Sequence, residues 1–291
     1  MVINYCRRLV RKLPRLRKIL LPLFGVSIPY LYALRNFFWN RPIEVHIGCE
    51  SNVEMVPEGH IAEMMWLDAF EKKERNFVES HLKPSMRVFN VGANAGLYSL
   101  IAAKIVGSTG EVHAFEPASI NFDRLKRNVL LNDLKNVHLS QLAISDFNGT
   151  LAVLPDQAHP NLDSHYFVER VVDDTPPADA IEIISCDTLD NYSRNKFQGK
   201  LKNVDLIIVD VEGAELSVFN GARALLAASP NLVIMVECTE RLDEIDELLR
   251  SQGFSFFTWN VSATRLEETV MKRGTIYAMR KQSVERVGDC V

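Results

Sequence analysis

A glycine-rich turn between a predicted strand and a predicted helix is the clearest chemical feature of the sequence. The strand is expected at Met86–Val91, and residues 90–96 read Asn-Val-Gly-Ala-Asn-Ala-Gly. Gly92 can adopt backbone dihedrals that are closed to other residues, and Gly96 removes a side chain where the helix start must approach a ligand. The free amides of such a turn favour an anionic group. We therefore expect the turn to bind the carboxylate end of a cofactor.

An acidic residue stands where a second part of the same cofactor would lie. Glu116 follows the predicted strand Glu111–Phe115 and comes twenty residues after Gly96. A carboxylate at this sheet edge accepts hydrogen bonds from both ribose hydroxyls of a nucleoside. A nicotinamide-linked enzyme is the competing interpretation, but its fingerprint Gly-x-Gly-x-x-Gly needs a further glycine that this turn lacks. The pattern favours S-adenosylmethionine as the cofactor.

Three further acids are candidates for the chemistry itself. Asp210 ends a predicted strand, Glu212 follows in the next turn, and Glu237 ends another strand. A carboxylate at such a position can act as a general base or orient a substrate, and Asp210 is the first choice. These acids, like Glu215, can equally cap or complement the following helix. We predict no required metal, because two acids far apart in sequence are weak evidence for one.

The order of elements predicts the fold class. Short apolar runs alternate with amphipathic stretches, which is typical of an α/β protein with helices on both faces of a mostly parallel sheet. We expect a Rossmann-like sheet of seven strands with a terminal antiparallel strand. The predicted strands are Met86–Val91, Glu111–Phe115, Val137–Gln141, Val204–Val209, Leu232–Glu237, Phe254–Thr258 and Thr275–Met279, and the predicted helices are Glu71–His81, Ala95–Val106, Ser119–Leu131, Ala214–Ala227 and Arg241–Ser251.

The predicted organisation has four parts. Residues 1–41 form a basic and apolar segment, and residues 42–85 form a lead-in that contains the first helix. The main domain covers residues 86–281, with an aperiodic insertion at about 155–180 over the carboxyl edge of the sheet, and residues 282–291 form a tail. His159 and His165 in the insertion are weaker candidates for a base.

The charge distribution separates the first part from the rest. The chain carries a net charge of −4, yet residues 1–41 hold nine Lys or Arg and no acid. Basic residues followed by an apolar stretch suit an anionic membrane surface, so we expect residues 1–38 to lie on a membrane. A basic amphipathic helix that packs on the main domain or on a partner is the alternative. The acidic main domain argues against nucleic acid as a partner, and the five scattered cysteines agree with a cytoplasmic location.

Several motifs in order resemble the FkbM family of methyltransferases. They are residues 91–99 around the glycine turn, Ala114–Pro117, Asn128–Asn132, Ala143–Asp146, Asp210–Glu215 and Val236–Glu237. The resemblance implies O-methylation, often of a sugar hydroxyl in a glycan, lipid or natural product. It also implies that Gly92, Asn94 and Gly96 line the methionine end of S-adenosylmethionine, that Glu116 holds the ribose, and that Ala143 and Ile144 border the adenine.

Two positions depart from the family pattern. Asn90 stands where the family commonly has Asp, and Ile208 stands where it commonly has Lys. Asn90 keeps a hydrogen-bonding oxygen, so we count it among the cofactor-binding residues and expect cofactor binding to survive. Ile208 removes a cation that could polarise the acceptor or lower a neighbouring pKa. A relative that binds cofactor or a partner at a membrane with little or no catalysis is therefore the alternative function.

Overall fold

The structure is a computed structural model that describes residues 43–47, 51–55, 65, 70–155, 166–171 and 175–280. The predictions for residues 1–41 and 282–291 lie outside these residues. The strands are β1 (Ile43–Ile47), β2 (Ser51–Met55), β3 (Arg87–Val91), β4 (Glu111–Phe115), β5 (Val137–Ser140), β6 (Ala143–Ile144), β7 (Gly149–Pro155), β8 (Tyr166–Arg170), β9 (Glu182–Asp187), β10 (Leu206–Val209), β11 (Val233–Cys238), β12 (Phe254–Asn260), β13 (Arg265–Thr269) and β14 (Gly274–Arg280). The helices are α1 (Lys72–His81), α2 (Leu97–Val106), α3 (Ser119–Leu131), α4 (Leu189–Lys196), α5 (Glu215–Asn220), α6 (Arg223–Ala228) and α7 (Leu242–Ser251).

The main sheet confirms the predicted α/β class. Its strand order is β13-β12-β14-β11-β10-β3-β4-β5. Strands β5, β4, β3, β10 and β11 pair in parallel, whereas β14 is antiparallel to both of its neighbours. All seven predicted strands are present. The prediction of seven strands is wrong by one, because the polar stretch Arg265–Thr269 pairs with β12 as an eighth strand. Its charged residues suit an exposed sheet edge. Because they interrupt the alternation of apolar and polar residues, the sequence did not predict this strand.

Alternate residues of the parallel strands face two different layers of helices. Val88 and Ile208 belong to a buried cluster that contains residues of α1, α2 and α3. Phe89 and Ile207, their direct chain neighbours, belong to a second cluster with residues of α4, α5, α6 and α7. Strands that are buried on both faces read as continuous apolar runs, and this explains why the sequence located them well.

A second sheet lies in the region that the sequence left without regular structure. It has four strands in the order β6-β9-β7-β8. Strand β8 falls inside the predicted insertion at 155–180 and pairs antiparallel with β7. Its sequence, Tyr-Phe-Val-Glu-Arg, does not alternate between apolar and polar residues. The periodicity that reveals a half-buried strand is therefore missing, although the strand is formed.

The predicted helix Ala214–Ala227 is two short helices, α5 and α6. The chain between them comes close to β6, since a Cβ added at Gly221 would lie 2.0 Å from the backbone oxygen of Ser145. The carboxylate of Asp190 accepts hydrogen bonds from the amides of Ala224 at 2.9 Å and Leu225 at 2.7 Å. These amides begin α6 and would otherwise lack a partner, so Asp190 stabilises a second helix start. Within the described residues, no helix has the length and apolar character needed to cross a membrane.

Candidate active site

The candidate site is a cavity of about 250 Å³ at the carboxyl ends of the parallel strands. Its walls come from the residues that follow β3, β4 and β10, from β6 and β11, and from the start of α1. In the sheet, β4 lies on one side of β3, whereas β10 and β11 lie on the other side. The cavity therefore has two sides, and they meet at the glycine turn that follows β3. Ligands of open α/β sheets bind at this edge.

The glycine turn is shaped by contacts with both neighbouring strands. The amides of Gly92 and Ala93 donate to the backbone oxygen of Phe115 at 3.0 and 2.9 Å. Gly92 has a φ of +81°, and a Cβ there would lie 1.8 Å from the backbone oxygen of Asp210. Only glycine fits this position, because any side chain would meet both the strained conformation and the Asp210 carbonyl. The turn therefore keeps a backbone cradle open above β3.

Gly96 has a different role from the expected one. It does not line the cavity. A Cβ at Gly96 would lie 2.6 Å from Cδ1 of Leu125, so its missing side chain makes room for α3 rather than for the cofactor. The same helix supports the turn through Asn128, whose Nδ2 donates to the backbone oxygen of Ala95 at 2.8 Å. The conformation of the turn is therefore fixed from behind by α3.

Asn90 also lies away from the cavity. Its side chain is 1% exposed, and its Nδ2 donates to Oγ of Ser99 on α2 at 2.8 Å. Within the described part of the chain its Oδ1 has no hydrogen-bond partner. The expected direct contact with the cofactor is thus replaced by a contact that ties β3 to α2. Asn94 does line the cavity and has a φ of +49°, and its amide donates to Glu116.

Glu116 lies on the β4 side of the cavity, as predicted, and is held by several donors. Its Oε2 accepts from the amide of Asn94 at 2.8 Å, and its Oε1 accepts from the amide of Ala118 at 3.0 Å. Asn121 on α3 adds a side-chain hydrogen bond, and its own Oδ1 accepts from Arg124 at 3.1 Å. Burial raises the pKa of Glu116 to about 7, against the lowering effect of these donors. Sequence reasoning missed Asn121, since a polar residue in the first turn of a helix is usually exposed.

The same side of the cavity carries the predicted adenine contacts. Ala143 and Ile144 line it from β6, together with the neighbouring Leu142. Val168 of β8 lines the cavity as well, so the second sheet takes part in the wall. These side chains form an apolar surface next to the Glu116 carboxylate. Such a surface suits the flat face of a nucleobase.

The opposite side of the cavity is acidic. Asp210 and Glu237 line it, as does Glu71, which the sequence analysis did not select. One carboxylate oxygen from each of these three residues lies within 4.8 Å of the other two. Burial raises the pKa of Glu71 to about 7, and burial together with repulsion from Glu237 and Glu71 raises the pKa of Asp210 well above its usual range. Three acids from distant segments meet only in the folded chain, so sequence spacing gave no signal for Glu71.

The remaining candidate acids differ from one another in placement. Glu212 lines the cavity and has a φ of +49°. Glu215 is buried at the start of α5, where its Oε1 accepts from the amide of Gly213 at 3.0 Å. Glu215 therefore serves the helix start, which was the alternative interpretation for it. His159 and His165 lie outside the described residues.

Ile208 lies beside the acidic side and explains part of its electrostatics. A small cavity of about 30 Å³ adjoins the main one, and its wall includes Ile208, Tyr98 and the three clustered acids. None of the described residues that line the two cavities is a lysine, arginine or histidine. Where the family resemblance leads us to expect a lysine, this chain has an apolar side chain, so position 208 supplies no cation to the carboxylates.

A glycine cradle, a hydrogen-bonded acid on the neighbouring strand and an apolar surface beyond it fit a nucleoside cofactor that has an amino acid at its other end. Together with the sheet order and the antiparallel β14, they define a Rossmann-like methyltransferase domain. Residues 90–256 match the family model described as the methyltransferase FkbM domain. This range is more than half of the chain, and the chain therefore belongs to the FkbM methyltransferase family. S-adenosylmethionine is its cofactor, and the nicotinamide alternative is wrong.

Two similar proteins come from fungi. Methyltransferase sdnD of Sordaria araneosa is 31% identical over 157 residues, which are 46% of this chain and 59% of that protein. Methyltransferase 1 of Beauveria bassiana (strain ARSEF 2860) is 28% identical over 180 residues, or 58% of this chain and 72% of that protein. The chain thus spans less than two thirds of the Sordaria protein.

Among solved structures, the chain is similar to methyltransferase FkbM from Methylobacillus flagellatus KT. That similarity has a TM-score of 0.41 and 13% identity, and it covers 76% of this chain and 55% of the other. A SAM-dependent O-methyltransferase from Thermotoga maritima gives a TM-score of 0.41 and 14% identity, with 83% and 85% covered.

Proposed function

We propose that the protein transfers a methyl group from S-adenosylmethionine to a hydroxyl oxygen, and that the hydroxyl belongs to a sugar of a glycan, glycolipid or related small molecule. The observation that carries the proposal is the two-sided cavity. Glu116 and the apolar surface occupy the side of β4, whereas Asp210, Glu237 and Glu71 occupy the side of β10 and β11. A nucleoside held on the first side leaves the acidic side for the acceptor.

The acidic side supports a neutral acceptor that is rich in hydroxyl groups. Carboxylates accept hydrogen bonds from hydroxyls, and bonds that involve an ionised group are the stronger ones. A phosphate or carboxylate acceptor would instead meet acids, and none of the described residues that line the two cavities offers a basic side chain against it. Repulsion between like charges of this kind disfavours binding of anionic acceptors.

The chain's own residues supply positioning and proton transfer. S-adenosylmethionine brings an activated methyl group, so the transfer depends mostly on holding the acceptor oxygen in line with it. Asp210, Glu237 and Glu212 line the cavity, and their carboxylates would orient the acceptor hydroxyls. The acceptor hydroxyl must also lose its proton, and this acidic cluster is the candidate for receiving it.

The test compares cells that express the gene with cells that lack it. Mass spectrometry of their glycans and lipids should show a sugar species heavier by one methylene group only where the protein is present. Purified protein should then transfer a tritiated methyl group to the unmethylated species. Asp210→Asn should abolish transfer while S-adenosylhomocysteine binding persists, and Glu244→Gln, an exposed change on α7, should leave both intact.

Other results would point elsewhere. Binding of S-adenosylhomocysteine without transfer to any sugar species would favour the alternative of a catalytically inactive relative, an interpretation that Ile208 motivates. Transfer to an acidic acceptor in preference to a neutral one would contradict the role given to the acidic side.

We also propose that residues 1–38 bring the protein to an anionic membrane surface. The support is the sequence alone, in which basic residues precede an apolar stretch. In a flotation assay, the full chain should float with vesicles that contain phosphatidylserine and stay behind with neutral vesicles. A chain without residues 1–38 should float with neither. Equal flotation of both chains would contradict the proposal.

A further inference from the structure

Glu71 stands at the junction of the two cavities. It lines the main cavity beside Asp210 and Glu237, and it lines the small adjoining cavity with the same two acids. It comes from the lead-in before the family domain, whereas the other two come from the ends of β10 and β11. The lead-in therefore completes the wall on the side where the acceptor is expected.

The backbone of Glu71 holds its side chain in an unusual place for a helix start. Glu71 is the residue before α1, with a φ of 44° and a ψ of 41°, and its side chain makes no capping hydrogen bond. A non-glycine residue in this left-handed region is strained, and such residues cluster at functional sites. Glu71 adopts this conformation although its side chain does not cap the helix. The conformation places the Glu71 carboxylate in the cavity instead.

The charged groups around Glu71 come from four elements. Asp210 of the β10 end and Glu237 of β11 repel it, as does Glu74 on its own helix, whereas Arg75 on that helix attracts it. The Tyr98 hydroxyl on α2 donates a hydrogen bond to it. Burial, the largest cause, raises the pKa of Glu71 to about 7.

Asp210 is affected more strongly than Glu71. Its pKa is raised well above the usual range by burial, and repulsion from Glu237, Glu71, Glu212 and Glu215 adds to this effect. Toward neutral pH Asp210 therefore releases its proton less readily than an ordinary aspartate, and its protonated form can donate a hydrogen bond to an acceptor oxygen. Glu71 is close to half ionised under the same conditions, and an ideal general base has a pKa near the working pH.

We propose that Glu71 is the catalytic carboxylate that takes the proton of the acceptor hydroxyl, and that Tyr98 positions it. This inference rests on the proposed methyl transfer to a hydroxyl. The acceptor oxygen forms a bond to the methyl carbon as the carbon–sulfur bond breaks, and the electron pair of that bond stays on sulfur. The hydroxyl proton passes to the Glu71 carboxylate and from there to solvent.

The first experiment needs no acceptor. Sinefungin carries a protonated amine in place of the sulfonium methyl group, and S-adenosylhomocysteine carries nothing there. Calorimetry of both ligands over a pH series gives the ratio of their affinities at each pH. Effects that are common to both ligands, such as the titration of Glu116, cancel in this ratio. The preference for sinefungin should rise about tenfold or more between about pH 5.5 and about pH 8.5, because an ionised Glu71 attracts the amine.

Variants assign this rise to one residue. Glu71→Gln should give a ratio that hardly changes near neutral pH, whereas Glu79→Gln, on the same helix but outside both cavities, should behave as the wild type. Tyr98→Phe should move the midpoint of the rise to higher pH, because it removes a hydrogen bond that favours the ionised form. A flat ratio in the wild type, or an unchanged one in Glu71→Gln, would overturn the inference.

The second experiment uses the tritiated-methyl assay with the acceptor found in cells. Glu71→Gln should lower kcat about a hundredfold or more with little change in the affinity for S-adenosylhomocysteine. Tyr98→Phe should keep the KM for the acceptor and shift the acidic limb of the rate profile to higher pH. A purely structural role for Tyr98 would not move that limb.

The outcomes separate the two proposals. No transfer by the wild type to any hydroxyl acceptor overturns the proposed function and the base together. Transfer that survives in Glu71→Gln overturns the base alone. Activation by added Mg²⁺ with loss of the pH-dependent rise would also overturn it, because the carboxylates would then serve a cation and not a proton.

Discussion

The carboxyl of Glu116 should make the stability of the ligand-free protein fall as the pH rises. Burial raises its pKa from 4.5 to about 7 in the folded protein, so between these values the folded protein holds a proton that the unfolded chain has released. A folded-state pKa above the unfolded one gives stability that is complete below the unfolded pKa and is lost as the pH rises through the folded pKa. Glu116→Gln removes this contribution.

The size of the effect follows from the pKa difference. Each unit corresponds to about 1.4 kcal/mol, so the shift from 4.5 to about 7 gives about 3 kcal/mol. Glu116 is 5% exposed, and solvent screening therefore reduces the figure little. Glutamine also changes the hydrogen bonds to the amides of Asn94 and Ala118. Those changes act at every pH, so the informative quantity is how the free energy of unfolding changes with pH.

Urea unfolding at about pH 5 and about pH 8 measures that change directly. The wild type should lose about 2–3 kcal/mol more than Glu116→Gln on going from the lower to the higher pH. Glu71 and Asp210 titrate in both proteins and cancel in the comparison. Glu244→Gln, an exposed change on α7, should follow the wild type. Parallel losses in the wild type and Glu116→Gln would refute the raised pKa and the burial argument behind it.

Three further substitutions test the supports of the site. Gly92→Ala should cost about 3 kcal/mol of stability or more and abolish binding of S-adenosylhomocysteine, because its Cβ would meet the Asp210 carbonyl, and thermal unfolding with calorimetry would show both. Asn121→Ala should weaken that binding about tenfold, since it frees Glu116 on one side, and should lower the free energy of unfolding by about 1–3 kcal/mol, since this buried side chain also accepts from Arg124; unchanged affinity would contradict the positioning role. Asp190→Ala should lower the free energy of unfolding by about 1–2 kcal/mol in urea and leave ligand affinity unchanged, because it removes the cap of α6 alone.

The parts of the site that the sequence predicted are those that follow buried parallel strands. Gly92, Glu116, Asp210 and Glu237 each come directly after or within a continuous apolar run. Such runs are visible in one dimension, and their carboxyl ends meet at one edge in any parallel sheet. The same reasoning misplaced Asn90. Successive side chains of a strand point to opposite faces, and the sequence of a strand that is buried on both faces does not show which face a given residue takes.

The parts that the sequence did not predict depend on contacts between distant segments. Asn121 reaches Glu116 only because α3 packs behind the turn, and its neighbours in sequence give no sign of this. Val168 reaches the cavity through a second sheet whose strands lack alternation. Strand β8 forms because it pairs with β7. The sequence of β8 alone does not show which strand it pairs with.

Glu71 and Ile208 show how two such positions act together. A lysine at position 208 would place a cation beside Glu71 and Asp210 and would lower the pKa of both carboxyls. Ile208 is 1% exposed and apolar, and none of the described residues of the two cavity walls is a lysine, arginine or histidine, so no wall residue supplies a cation beside Glu71 and Asp210. Burial, to which repulsion between the acids adds, raises the pKa of Glu71 to about 7 and that of Asp210 well above its usual range. Ile208, which motivates the alternative of an inactive relative, is thus compatible with the proposed base, because an apolar residue at this position does not lower the pKa of Glu71.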